Sequence, residues 1–123
     1  MSRKATTSRS TRQGSASGRF ERVPFVCLIC IDLHFPENGS LKGKRKELQS
    51  VKAQLQRRFG ASAAETDHHE LWQRSELSAA VVGREAGVVA GVRDSLERWV
   101  ADRYPDGSSF RETTVSFGDV MDR

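Results

Sequence analysis

Apolar residues take every second position in the segment that opens at Phe25. Phe25, Cys27, Ile29, Ile31 and Leu33 alternate with Val26, Leu28, Cys30, Asp32 and His34. Side chains two apart share one face of a strand. The pattern therefore predicts a strand over Phe25–Phe35 with one wholly apolar face and a second face that turns polar at its end. Pro36 to Gly39 breaks it. Ser40 suits a helix N-cap, and Leu41, Leu48, Val51, Leu55 and Phe59 recur at helical spacing, which predicts a helix over Leu41–Arg58 ended by Gly60. Ala61–Asp67 and Trp72–Val82 read as two strands joined across His68-His69-Glu70, with Leu77, Ala79 and Val81 alternating against Glu76, Ser78 and Ala80. Glu85–Tyr104 reads as a second helix with Val89, Val92, Leu96, Trp99 and Val100 inward. Pro105-Asp106-Gly107 marks a turn, Ser109–Phe117 a last strand, and the end is expected to fray from residue 120.

The order β-α-β-β-α-β fixes the expected architecture. Two right-handed crossovers on one four-stranded antiparallel sheet give an α+β, ferredoxin-like sandwich, with both helices on one face and the other face open. A chain of 123 residues holds one such domain, here over residues 23–119. The longest apolar run, Val23 to Ile31, is strand-sized, so no membrane span is expected.

Charge is unevenly placed. The net charge is +4, yet Arg3, Lys4, Arg9, Arg12, Arg19 and Arg22 lie in the first 22 residues against Glu21 alone. That Ser/Arg-rich segment carries almost no apolar residue and is expected to remain a disordered basic tail. Without it the domain is close to neutral, and it is polarised: Leu41–Arg58 holds Lys42, Lys44, Arg45, Lys46, Lys52, Arg57 and Arg58 against Glu47. Cys27 and Cys30 are spaced as C-x-x-C, but residues three apart on a strand point to opposite faces. They read as separate reduced structural thiols, which suits a cytoplasmic location.

Two longer stretches carry a family resemblance. HFPENGSLKGKR (34–45) resembles the H-x-P-x-x-x-S-L-K-x-K-R stretch of the YlxP-like family of bacterial domains of unknown function. AETDHHELWQRSELSAAVV (64–82) resembles that family's A-E-x-D-H-x-x-L-W-Q-R-A segment, with Ser75 where Ala is usual. The resemblance spans about Phe25 to Phe117 and leaves the basic tail outside. It implies a ferredoxin-like fold and assigns no reaction. Members tend to be encoded near translation and ribosome-maturation factors, which implies a ribosome-related role.

Three groups of residues are candidates for function. The first is Ser40, Lys42, Lys44, Arg45 and Lys46, at the start of the first helix. Cations are unfavourable beside the positive end of a helix dipole, and Gly43 costs about 1 kcal/mol relative to Ala, so a bound anion such as RNA phosphate is expected to explain the arrangement. It is not a nucleotide-binding loop: Gly39 and Gly43 are one residue too close, and Arg45 stands where Ser or Thr would bind magnesium. No nucleotide or other cofactor is expected. The second group is Val26, Leu28, Trp72 and Arg74, expected together on the open sheet, where burial in a homodimer is favoured over stacking of an RNA base. The third is His34, Glu65, Asp67 and His68, with Asp32, His69 and Glu70 nearby, expected to form a polar network that closes the hairpin. A metal-dependent hydrolase using His34, Asp67 and His68 is the less favoured reading of that group, since no paired metal-ligand spacing is present. The expected function is thus a non-catalytic accessory factor with RNA or a ribosomal particle as partner, and the alternative is a homo-oligomeric interaction module.

Overall fold

A computed structural model describes residues 24–121; the basic tail and its expected disorder lie outside those residues. The elements are β1 (Phe25–His34), α1 (Leu41–Phe59), β2 (Ser62–Asp67), β3 (Arg74–Gly83), α2 (Ala86–Arg103), β4 (Ser108–Ser116) and a short α3 (Phe117–Met121). The sheet order is β2-β3-β1-β4, with β1 antiparallel to both β3 and β4 and β2 antiparallel to β3. This is the expected ferredoxin-like α+β sandwich, with β2 and β4 at its edges.

Alternation in β1 sorts its residues as expected. Cys27, Ile29, Ile31 and Leu33 are buried under the helices with Leu77, Ala79 and Val81 of β3, Leu48, Val51 and Leu55 of α1, and Val89, Leu96 and Val100 of α2. At about 1.5–3 kcal/mol for each large apolar side chain, this layer is the main source of stability. Cys27 is buried in it, while Cys30 lies on the open face with its Sγ 3.5 Å from Ser78 Oγ, so the two thiols diverge as expected. Phe59 and Trp99 meet edge to face between the helices, and the guanidinium groups of Arg58 and Arg103 lie over the indole.

Most boundaries shift by one residue from the sequence reading, and two regions depart from it further. β3 begins at Arg74, two residues after Trp72, because the chain from His68 to Gln73 is held by hydrogen bonds to α1 and to the β1–α1 loop instead of a ladder. β4 ends at Ser116, and α3 follows where a strand end and a fraying terminus were expected. The Ser116 hydroxyl accepts from Asp119 N–H, the Asp119 carboxylate accepts from Ser116 N–H, and Phe117 N–H donates to Pro24 O, so a reciprocal cap and a backbone anchor start this turn of helix.

Candidate nucleic-acid interface

The basic start of α1 contains one residue that is not at the surface. Lys44 is 0% exposed. Its ammonium donates to His68 O at 2.6 Å and Arg74 O at 3.1 Å, and it lies 2.9 Å from the Glu65 carboxylate. Glu65 projects from β2 to the helix-covered side and accepts from the Ser75 hydroxyl at 2.7 Å. Burial pushes the Glu65 carboxyl up, but the hydrogen bonds from Ser75 and Lys44 outweigh it and hold the group below its ordinary value. The departure from the resembled motif at Ser75 thus adds a hydrogen bond to a largely covered carboxylate. Lys44 is a strut under the β2–β3 loop, so the expectation that it contacts phosphate is corrected.

Ser40 and Gly43 are also explained from within. Ser40 caps α1, its hydroxyl oxygen accepting from Gly43 N–H at 3.0 Å, so that N–H is not free for an anion. A Cβ on Gly43 would run into Asn38 Oδ1. The Asn38 amide cannot move aside freely, because it donates to Ser40 O at 2.7 Å and Trp72 O at 2.6 Å. Glycine is required here by close approach of a fixed side chain, and an anion is not needed to account for it.

Asn38 and Gln73 lock the two resembled motifs together. Gln73 Nε2 donates to Asn38 O at 3.1 Å and to Pro36 O at 3.3 Å, and Phe35 N–H donates to Gln73 O at 2.8 Å. The loop closes on itself as well: Leu71 N–H donates to His68 O, Asp67 Oδ1 accepts from His68 N–H, and His68 takes a left-handed φ of 64°. Asp67 and His68 thus bond within the loop, while Glu65 is tied to it only through Lys44. His34 does not join them: it lies on β1 and pairs with Arg74 of β3, so β3 stands between it and β2. Among the described residues no three His, Cys, Asp or Glu side chains converge as a metal site would require.

The open-sheet group divides. Val26 and Leu28 pair with Val82 and Ala80 at one end of the sheet, while Arg74 pairs with His34 at the other. Trp72 is not on the sheet at all. It sits in the braced loop, 53% exposed beside Leu71 at 46%. The polar end of the open face is self-neutralised, with Arg111 2.8 Å from Glu76 and Arg74 4.0 Å from Asp32.

What remains of the cationic site is the outward face of α1. Lys42, Arg45, Lys46 and Arg57 are exposed and Lys52 is half-exposed. Among the described residues none of these pairs with a carboxylate, whereas Arg74, Arg93, Arg103 and Arg111 all do. Between α1 and edge strand β2 runs a groove of about 520 Å³ lined by Gln49, Lys52, Gln56 and Ala61–Ala63. A second cleft, of about 340 Å³, lies on the other flank of α1 between Phe35, Glu37, Asn38, Glu47 and Tyr104. There Tyr104 donates a short hydrogen bond to Glu47, which Arg103 also meets at 3.1 Å. Burial and this bond push the phenol up to about 12, and the bond from Tyr104, against burial and helped by Arg103, holds Glu47 below its ordinary value.

Lys44, Asn38 and Gln73 were not recognised from the sequence as one brace. A signal for Lys44 was present, since it lies four, seven and eleven residues before Leu48, Val51 and Leu55 and so falls on the buried stripe.

Comparison with known proteins agrees with this architecture. No curated protein matches the sequence. Among solved structures, the de novo designed protein Foldit4 superposes with a TM-score of 0.51 at 10% identity, covering 76% of this chain and 97% of its own. The de novo designed protein Ferredog-Diesel gives a TM-score of 0.40 at 16% identity, covering 92% of this chain and 98% of its own. The first likeness is one of fold alone. A family model described as protein of unknown function DUF503 matches residues 26–108, which take in both motifs that meet at the Lys44 brace, and the chain belongs to that family.

Proposed function

We propose that this protein is a non-catalytic accessory factor that binds RNA, on or near the ribosome, through the outward face of α1. The observation that carries the reading is the contrast in pairing. Among the described residues Lys42, Arg45, Lys46, Lys52 and Arg57 share one helix without a carboxylate partner, whereas four of the six arginines outside that helix, Arg74, Arg93, Arg103 and Arg111, pair internally and Arg84 and Arg98 do not. Like charges at spacings of three and four on a helix repel by a few tenths of a kcal/mol per pair. An anionic backbone running along the helix removes that cost and releases counterions. The YlxP-like resemblance supports the ribosome as the source of the RNA. Co-sedimentation of the full chain with ribosomal particles across a salt series tests it. Saturable binding to one particle is expected, and binding that never saturates contradicts it.

A second reading is favoured by a different observation. Val82 is 65% and Leu28 48% exposed on the open face, beside Val26 and Val115. An uncovered apolar end of a sheet suits self-association, and this surface is separate from α1.

A further inference from the structure

The β2–β3 loop is more firmly held than a hairpin connection needs. Lys44 is buried beneath it with its ammonium on His68 O and Arg74 O. Asn38 holds Trp72 O at 2.6 Å, and Gln73 reaches back to Asn38 O and Pro36 O. Yet the two side chains at the top of this brace, Leu71 and Trp72, stand 46% and 53% in solvent. Neither belongs to the core, so the brace fixes the backbone that carries an indole the fold itself leaves about half exposed. A large aromatic presented from a fixed backbone loses less entropy on binding than one on a loose loop, which suits recognition.

Its neighbours say what it recognises. The Asn38 amide that holds Trp72 O also holds Ser40 O at 2.7 Å, so the Trp72 backbone and the N-cap of α1 are one amide group apart. Lys42 and Lys46 follow on the outward face of that helix, exposed and unpaired among the described residues. Two apolar side chains bordered by charge are too small a patch for the apolar centre of a stable protein interface, which buries about 800 Å² per partner. They match one planar base, which offers a π-face to the indole and a phosphate to the cations. The backbone N–H groups at the helix end are not needed for this, and that of Gly43 is already taken by Ser40.

We infer that Trp72 stacks an unpaired base of a single-stranded RNA whose flanking phosphates lie against Lys42 and Lys46. The inference rests on the RNA-binding reading of α1 and sharpens it, because a base inside a duplex has no free face to offer.

The test uses the full chain and two probes, a uridine-rich RNA single strand and an RNA duplex of equal length, with affinity read by fluorescence anisotropy. Wild type is expected to prefer the single strand, with its tryptophan emission quenched on binding. Trp72→Ala is expected to weaken single-strand binding about 5- to 150-fold, the range for one base–aromatic stack, and to leave duplex binding unchanged. Trp72→Phe keeps an aromatic ring and is expected to stay within about a factor of 2 of wild type for the single strand. The exposed side chain makes no core contact, so both variants are expected to melt as wild type does. If Trp72→Ala binds the single strand as tightly as wild type while Lys42→Glu/Lys46→Glu weakens both probes, the stacking inference is wrong and the RNA reading stands. If neither probe binds wild type, the RNA reading fails and takes the inference with it. Self-association that is lost in Trp72→Ala, with RNA affinity unaltered, assigns the indole to a protein partner and also overturns it.

Discussion

Replacing Lys44 by methionine separates a structural lysine from a surface one. Methionine keeps most of the stem that packs under the loop and removes the ammonium. The change leaves the Glu65 carboxylate, whose side chain is 15% exposed, without its 2.9 Å partner, and it takes the ammonium from Arg74 O and from His68 O, which keeps only its bond from Leu71 N–H. Breaking a buried pair from one side costs about 3–5 kcal/mol. Because Glu65 keeps some contact with water and its bond from Ser75, the lower end, about 3 kcal/mol, is expected. For a domain of this size that lowers Tm by about 10–25 °C. Urea unfolding followed by tryptophan emission measures it, with an unchanged slope showing that the native state is intact. Glu65→Gln, which still accepts from Ser75 and Lys44, should cost less, and adding it to Lys44→Met should recover about 0.5–3 kcal/mol of the sum of the single effects. A loss within about 0.5 kcal/mol for Lys44→Met, the range of an ordinary surface change, would refute the strut. The pair also sets an acid limit. Glu65 is held below its ordinary value, so its contribution is full above the unfolded pKa and fades as pH falls through the folded one.

Three further outcomes follow from the geometry. Gly43→Ala would stabilise an unconstrained helix by about 1 kcal/mol; here it should destabilise the domain in urea, because the new methyl meets Asn38 Oδ1, and a gain in stability would contradict the brace. Tyr104 is the only tyrosine in the chain, so phenolate absorbance should rise near pH 12 instead of 10. Since its folded pKa is raised, the stability it contributes is present below pH 10 and lost as pH rises from 10 to 12, and a midpoint at 10 in the folded protein would contradict the Tyr104–Glu47 bond. Val82→Lys should abolish any self-association seen by sedimentation without altering RNA affinity; an assembly unaffected by it does not use the apolar end of the open sheet.

The sheet and helices were legible because burial there follows local period. In β1 every second residue is apolar, and Ile29, Ile31 and Leu33 are all buried. The site was legible only in part. Lys44 stands in a run of cations, and a run of cations normally marks a solvated face. Its burial depends on a carboxylate and loop carbonyls supplied from 21 to 30 residues further on. The alternation of β3 runs on in the sequence through Trp72, but before Arg74 hydrogen bonds from Asn38 to Trp72 O and from Gln73 to Asn38 O replace the ladder. By helix propensity alone Gly43 is an oddity, and only the position of Asn38 in space shows the contact that requires it. Local pattern thus located the elements. Polar groups far apart in the chain decided which cations face out.

The most direct test is the salt dependence of RNA binding by the full chain, compared with a Lys42→Glu/Arg45→Glu/Lys46→Glu variant that melts as wild type does. The basic tail is present in both proteins and contributes equally, so the difference reports α1 alone. Removing three phosphate contacts should lower affinity strongly and reduce the slope of log K against log salt by about 2 for a single strand. An unchanged slope and affinity in the variant would show that α1 does not face the nucleic acid.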